Sequence, residues 1–124
     1  ISLAPSERAN ENGTPKHPFD LTLLGLGADA HTASIFPSSP LITDPHHWVS
    51  PRQHPETDRW RITLTESLIN TTNQAAFLIS GPDKAKALST LLKGPTNPQK
   101  IPAQRIQTKH PIQYWLDKAA ANQL

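Results

Sequence analysis

The chain has 124 residues, with 12 Lys and Arg against 10 Asp and Glu, 13 prolines, no cysteine and no methionine. That length suits one small domain or part of a larger one and buries a core without staples, while the missing cysteine excludes a disulfide framework, a thiolate nucleophile and a Cys-ligated zinc. A net charge of +2 on scattered Lys and Arg excludes the basic stripe with interleaved aromatics that nucleic-acid binding uses.

Residues 1–18 are polar and irregular, which predicts a linker or surface loop with a turn at Asn12-Gly13, ahead of a domain over 19–124. Residues 19–27 form a nearly continuous apolar run closed by Gly25 and Gly27. This is the pattern of a strand covered on both faces in a parallel sheet. From 37 to 59 Pro, His, Ser and Asp dominate, no helical period survives, and a long loop is expected. Residues 60–65 alternate as a second strand, and 65–70 read as a short helix capped by Thr65. Residues 75–80 are a third apolar strand, followed by a turn and helix start at Gly81-Pro82-Asp83. The helix over 84–93 carries Ala85, Leu88, Leu91 and Leu92 on its apolar stripe and stops at Gly94-Pro95. Residues 98–102 read as loop and 103–108 as a short edge strand. A terminal helix is expected over 111–123, with Ile112, Trp115, Leu116 and Ala119 on one face. Strands alternating with helices predict an α/β domain with a mainly parallel sheet flanked by helices. Such sheets bind ligands beyond the carboxyl ends of their strands.

No run of about 18 apolar residues is present, so no membrane partner is expected. The first residues lack an apolar signal core, and a cytoplasmic protein is expected. A start at Ile1 without any methionine predicts a fragment, a cleavage product or an edited product.

The chemistry concentrates in Gly25-Leu26-Gly27-Ala28-Asp29-Ala30-His31-Thr32-Ala33-Ser34, which begins where the first strand ends. The two glycines let the backbone turn tightly and a ligand approach closely. A carboxylate near an imidazole fixes its tautomer and stabilises its protonated form, which suits a general base. The residues alone leave a second reading open for each: Asp29 as a helix cap and His31 as a hydrogen-bonded loop histidine. Six histidines, with His46-His47 adjacent and His54 nearby, raise the question of a metal. Adjacent side chains diverge and no HExxH motif is present, so no metal is expected. Asn12-Gly13-Thr14 and Asn70-Thr71-Thr72 match the glycosylation acceptor pattern, which often arises by chance.

Residues 23–37, Leu23 through the glycine-rich segment to Ile35-Phe36-Pro37, resemble the signature of the 6-phosphogluconolactonases, approximately L-G-x-G-x-D-G-H-T-A-S-L-F-P. Arg61-Ile62-Thr63-Leu64-Thr65 and Phe77-Leu78-Ile79-Ser80-Gly81-Pro82-Asp83-Lys84-Ala85 resemble two further family segments, in the family's order. The resemblance runs from about Phe19 to the C-terminus. It implies a Rossmann-like α/β fold shared with glucosamine-6-phosphate deaminase. It also implies that this chain is the C-terminal half, because the family's early S-G-G-S-T phosphate-binding loop is absent.

The activity so implied is hydrolysis of 6-phosphoglucono-1,5-lactone to 6-phosphogluconate in the pentose phosphate pathway. His31 matches the base that takes a proton from the attacking water, and Asp29 matches the acid that supports it. Gly25, Gly27, Lys84 and Arg61 are the substrate-binding candidates, with Lys84 offering positive charge to the phosphate. A solvated lysine and a structurally paired arginine are the competing readings of the last two. No metal or organic cofactor is implied. The implied partners are a phosphorylated sugar lactone and either the missing N-terminal half or a second copy.

Two departures stand out. Ala30 occupies a position where the family usually has glycine; a positive φ there costs an alanine about 1 kcal/mol or more. Phe36 stands where the deaminases carry a glutamate, five residues after the histidine, and a phenylalanine moves no protons. That weakens a sugar-phosphate deaminase or isomerase reading. A different class stays open: an inactive fragment of the lactonase fold serving as a structural or assembly unit. A partner chain bearing the S-G-G-S-T loop discriminates between the two.

Overall fold

A computed structural model describes residues 8–16, 18–42 and 46–124. Residues 1–7 and 17 of the expected N-terminal loop and 43–45 of the expected 37–59 loop lie outside it. In chain order the elements are β1 (Leu21–Leu24), β2 (Val49–Gln53), β3 (Trp60–Leu64), α1 (Glu66–Ile69), β4 (Gln74–Ile79), α2 (Ala85–Lys93) and β5 (Gln113–Leu116). Short 3-10 turns occupy Pro82–Lys84 and Pro102–Arg105.

Strands β1, β4 and β5 form a parallel sheet in the order β1-β4-β5, with Leu23 opposite Ala76 and Leu78 opposite Trp115, and β3, the expected second strand, lies outside it. The architecture is therefore mixed α/β with a mainly parallel sheet. Helices α1 and α2 flank one face, where Ile69, Ala87 and Leu88 join Leu24, Phe77 and Ile79 in the core. Phe77 stacks on Tyr114 with ring centroids 5.5 Å apart. Buried aliphatic side chains of this kind each contribute about 1.5–3 kcal/mol.

The other face departs from the expectation of a strand covered on both sides. Leu21, Leu23, Leu78 and Trp115 are 52%, 58%, 50% and 64% exposed. Alternate residues of β1 point inward and outward, so the run reads as continuous apolar sequence while only half of it is buried.

Local chemistry explains the elements that match expectation. The Thr65 side chain accepts from the Leu68 amide at 3.3 Å and caps α1. The Asn12-Gly13 turn closes through the Gly13 amide onto the Asn10 carbonyl at 2.9 Å, with Gly13 at φ 82°. Leu88 and Ala87 face the core from α2, whereas Leu92 is exposed and leaves the expected stripe.

Three expectations are corrected. The 37–59 loop contains β2, which pairs antiparallel with β3 in a separate two-stranded ribbon. Pro51 lacks an amide donor, and an edge strand tolerates such a residue. Residues 103–108 form no strand; a 3-10 turn at Pro102–Arg105 buries Ala103, whose amide donates to the Ala30 carbonyl at 3.1 Å. Residues 111–123 are not a helix. The free edge of β4 offers backbone partners to Gln113–Leu116, and Tyr114 and Trp115 fit a pleated surface. Asp117 then starts a run of turns by accepting from the Ala120 amide at 2.7 Å. Among the described residues no helix is long and apolar enough to cross a membrane.

Candidate active site

Parallel neighbours β1 and β4 end on the same side of the sheet, so the segments that follow them meet there. The loop after β1 brings Gly25, Leu26, Gly27, His31 and Ala33. The turn after β4 brings Lys84. Together they line an open cavity of about 330 Å³.

The loop holds its shape through its own backbone. The Gly27 amide donates to the His31 carbonyl at 2.8 Å, and the Ala30 amide to the Gly27 carbonyl at 2.9 Å. The fully buried Thr32 hydroxyl donates to the Gly25 carbonyl at 2.9 Å. From the β2–β3 ribbon, the Thr63 hydroxyl oxygen accepts from the Ser34 amide at 3.0 Å. Two alanines in the loop sit in the left-handed region, Ala30 at φ 64° and Ala33 at φ 51°. The condition set for Ala30 by the family's glycine is therefore met, and backbone strain gathers beside the cavity. The Ala30 methyl is itself buried in the core.

Asp29 and His31 form the central pair. One Asp29 carboxylate oxygen lies 2.5 Å from His31 Nδ1 and also accepts from the His31 amide at 3.1 Å. A neutral imidazole that donates Nδ1–H to this carboxylate keeps its lone pair on Nε2. Burial pushes the Asp29 carboxyl up, but the His31 amide and imidazole outweigh it and hold the carboxyl below the ordinary aspartate range. Gly27 makes the pair possible: a Cβ at that position would collide with His31 Nδ1 and Cε1 and with the Asp29 carboxylate. Gly25 plays another part. A Cβ there would meet nothing within 4 Å, so this glycine keeps the cavity wall low rather than relieving a clash.

Lys84 ends the 3-10 turn at Pro82–Lys84 and places Nζ 3.1 Å from an Asp83 carboxylate oxygen. Its side chain is partly buried, which sets it apart from a freely solvated surface lysine. Asp117 holds the turn from below, accepting from the Ser80 hydroxyl at 2.6 Å and the Gly81 amide at 3.0 Å. Those two hydrogen bonds and that from the Ala120 amide hold the Asp117 carboxyl low.

Of the sequence-derived candidates, the structure gathers Gly25, Gly27, His31 and Lys84 around one cavity, with Asp29 behind His31. Arg61 is not among the lining residues. It stands exposed on β3 opposite Arg52, without an ion pair among the described residues. Among the described residues no three His, Asp or Glu side chains gather as a metal site. Sequence reasoning used Phe36 only against the deaminase reading and His54 only in the question of a metal, and placed neither beside His31. Yet the Phe36 ring lies 5.0 Å from the His31 ring and 4.8 Å from that of His54. The position of Phe36 inside the signature was the available signal; nothing local marks His54.

The family model for glucosamine-6-phosphate isomerases and 6-phosphogluconolactonases matches residues 4–115. A rice protein called probable 6-phosphogluconolactonase 2 is 36% identical over 126 residues, covering 94% of this chain and 43% of that protein. A solved structure of the devB protein superposes with a TM-score of 0.80 at 30% identity, covering 97% of this chain and 50% of the other. The 6-phosphogluconolactonase of Trypanosoma brucei gives a TM-score of 0.77 at 31% identity, covering 94% and 46%. The chain thus spans about half the length of these relatives. With its signature loop, its parallel sheet and a match over nearly its whole length, the chain belongs to the glucosamine-6-phosphate isomerase/6-phosphogluconolactonase family.

Proposed function

We propose that this chain supplies the acid–base part of a 6-phosphogluconolactonase, with His31 as general base toward the water that attacks the lactone carbonyl. The observation that carries this reading is the short Asp29–His31 contact at the edge of a cavity that Lys84 also lines. Asp29 holds the Nδ1–H tautomer and favours the imidazolium formed when Nε2 takes the proton. The positive charge of Lys84 suits the substrate phosphate, and Gly25 and Gly27 leave room for the sugar ring. Phe36 occupies the place of the deaminase glutamate and offers no second proton carrier.

The bare sheet face bears on how the site is completed. Leu21, Leu23, Leu78 and Trp115 form an apolar face with no cover among the described residues. The relatives are about twice as long as this chain. Their remaining half is the occupant we assign to this face. The test co-expresses this chain with the matching half of a relative and measures hydrolysis of 6-phosphoglucono-1,5-lactone above the spontaneous rate. Activity that needs both pieces supports the proposal. Light scattering that shows a stable, well-folded monomer of this chain alone contradicts the covered face, and a self-associated chain assigns the face to a second copy. A folded two-piece complex without hydrolysis favours the structural unit instead.

A further inference from the structure

We infer that Phe36 is a positioning residue for the His31 imidazole, and that His54 on the β2–β3 ribbon holds Phe36 in place. The inference rests on His31 as the base but concerns a different question, namely what fixes the plane of its ring. The hydrogen bond that His31 Nδ1–H donates to Asp29 holds one edge of a ring already anchored through its Cβ–Cγ bond. The torsional play left in the ring is limited by a further contact. Phe36 supplies it with a ring centroid 5.0 Å from that of His31 at an interplanar angle of 51°. Aromatic pairs at such separations gain from their geometry beyond simple burial.

Phe36 is itself immobilised. Its side chain is almost wholly buried, its amide donates to the Ser39 hydroxyl at 3.2 Å, and its carbonyl accepts from the Ser39 amide at 3.0 Å. The His54 ring meets it edge-on at 4.8 Å and 62°. His54 is fixed in turn by the ribbon's connecting turn. Its amide donates to the Arg59 carbonyl at 2.9 Å, its carbonyl accepts from the Asp58 amide at 3.0 Å, and its Nδ1 accepts from the Glu56 amide at 3.2 Å. The ribbon shares no strand pairing with the main sheet. Among the described residues, it reaches the reacting loop through Thr63 on Ser34 and through this row of three rings. The ribbon therefore braces the base from outside the sheet that presents it.

The experiment reads the His31 ring by nitrogen-resolved NMR in the full chain, and kcat and KM in the catalytically competent assembly. Four proteins are compared: wild type, Phe36→Leu, His54→Ala and His54→Phe. Phe36→Leu keeps an apolar side chain but removes the ring. The expected result is loss of the single Nδ1–H tautomer of His31 and a fall in kcat of about 10-fold, with KM little changed, as for a misplaced catalytic group. His54→Ala shifts the same signals in the same direction by less, and His54→Phe restores them. A merely structural role would lower the folded fraction without altering the tautomer of the folded molecules. If Phe36→Leu does not fold, the His54 pair decides alone. Unchanged His31 signals and kcat in a folded His54→Ala, or no rescue by His54→Phe, overturn the proposal. The tautomer is read without turnover, so failure of the base assignment shows up separately, as unchanged kcat in His31→Asn.

Discussion

Two carboxylate pairs in this molecule, one with a guanidinium and one with an imidazole, show how burial divides structural from chemical work. Glu66 and Arg105 meet at 2.9 Å with side chains 4% and 6% exposed. Asp29 and His31 meet at 2.5 Å with side chains 46% and 30% exposed. The buried pair ties elements together. Arg105 also donates to the Pro98 carbonyl at 2.8 Å and the Ser39 carbonyl at 3.0 Å, so one guanidinium joins α1 to two loops. The half-exposed pair closes only its own loop and borders a cavity. A guanidinium stays charged in any condition a protein survives, whereas an imidazole changes charge near neutrality. The first pair is a fixed joint, and the second stands where the proposed proton transfer places it.

The largest expected effect breaks the joint. Glu66→Ala or Arg105→Ala leaves a charge buried without its partner and costs about 3–5 kcal/mol. Urea denaturation of the full chain checks this, and a loss under about 1 kcal/mol would move the pair out of its structural role.

Lys84→Ala comes next. Removal of a charge-assisted contact to phosphate is worth about 1.5–3 kcal/mol, so KM rises about 10-fold or more while kcat changes little. Steady-state kinetics on the assembled enzyme read it, and an unchanged KM leaves Lys84 as the partner of Asp83 alone.

Acid titration sharpens the contrast. Asp29 has its folded carboxyl held below the ordinary aspartate range, first against burial and then by the His31 amide and imidazole. Its contribution is therefore complete above the unfolded value and is lost as pH falls through the folded one. The stability advantage of wild type over Asp29→Asn should be present at about pH 5 and shrink below about pH 4. An advantage that persists undiminished to about pH 2 would contradict the shift.

The smallest effect is at Ala30. Glycine relieves left-handed strain of about 1–2 kcal/mol. It also gives up a buried methyl worth about 0.8 kcal/mol and frees the unfolded chain by about 0.4–1 kcal/mol. Ala30→Gly should thus change stability by less than about 1 kcal/mol by thermal denaturation. A larger loss would mean that the methyl's packing outweighs the strain.

Local signals account for what was legible in the sequence. The apolar strands β1 and β4, the Thr65 cap and the Gly81-Pro82 helix start are written in neighbouring residues. So is the site loop, whose two glycines, aspartate and histidine lie within seven positions. What escaped depends on distant partners. Residues 113–116 satisfy a helical period, and only the waiting edge of β4 makes them a strand. Residues 49–53 carry Pro51 and become a strand because β3 lies alongside. The Glu66–Arg105 joint spans 39 positions, and His54 reaches Phe36 through a turn whose sequence shows no period. The exposed position of Arg61 follows from ribbon pairing, which alternation alone does not place.

The most direct test of the central claim is the initial rate of 6-phosphoglucono-1,5-lactone hydrolysis by His31→Asn across pH, in the assembled enzyme and against a no-enzyme control. Asparagine is polar and tolerates loop conformations, so the loop should stay folded. Loss of the base lowers kcat by about 100-fold or more at every pH. Asp29→Asn gives a smaller loss, as expected for a group that supports the imidazole. A folded His31→Asn protein with near-wild-type kcat would contradict the account and return His31 to a structural place in the loop.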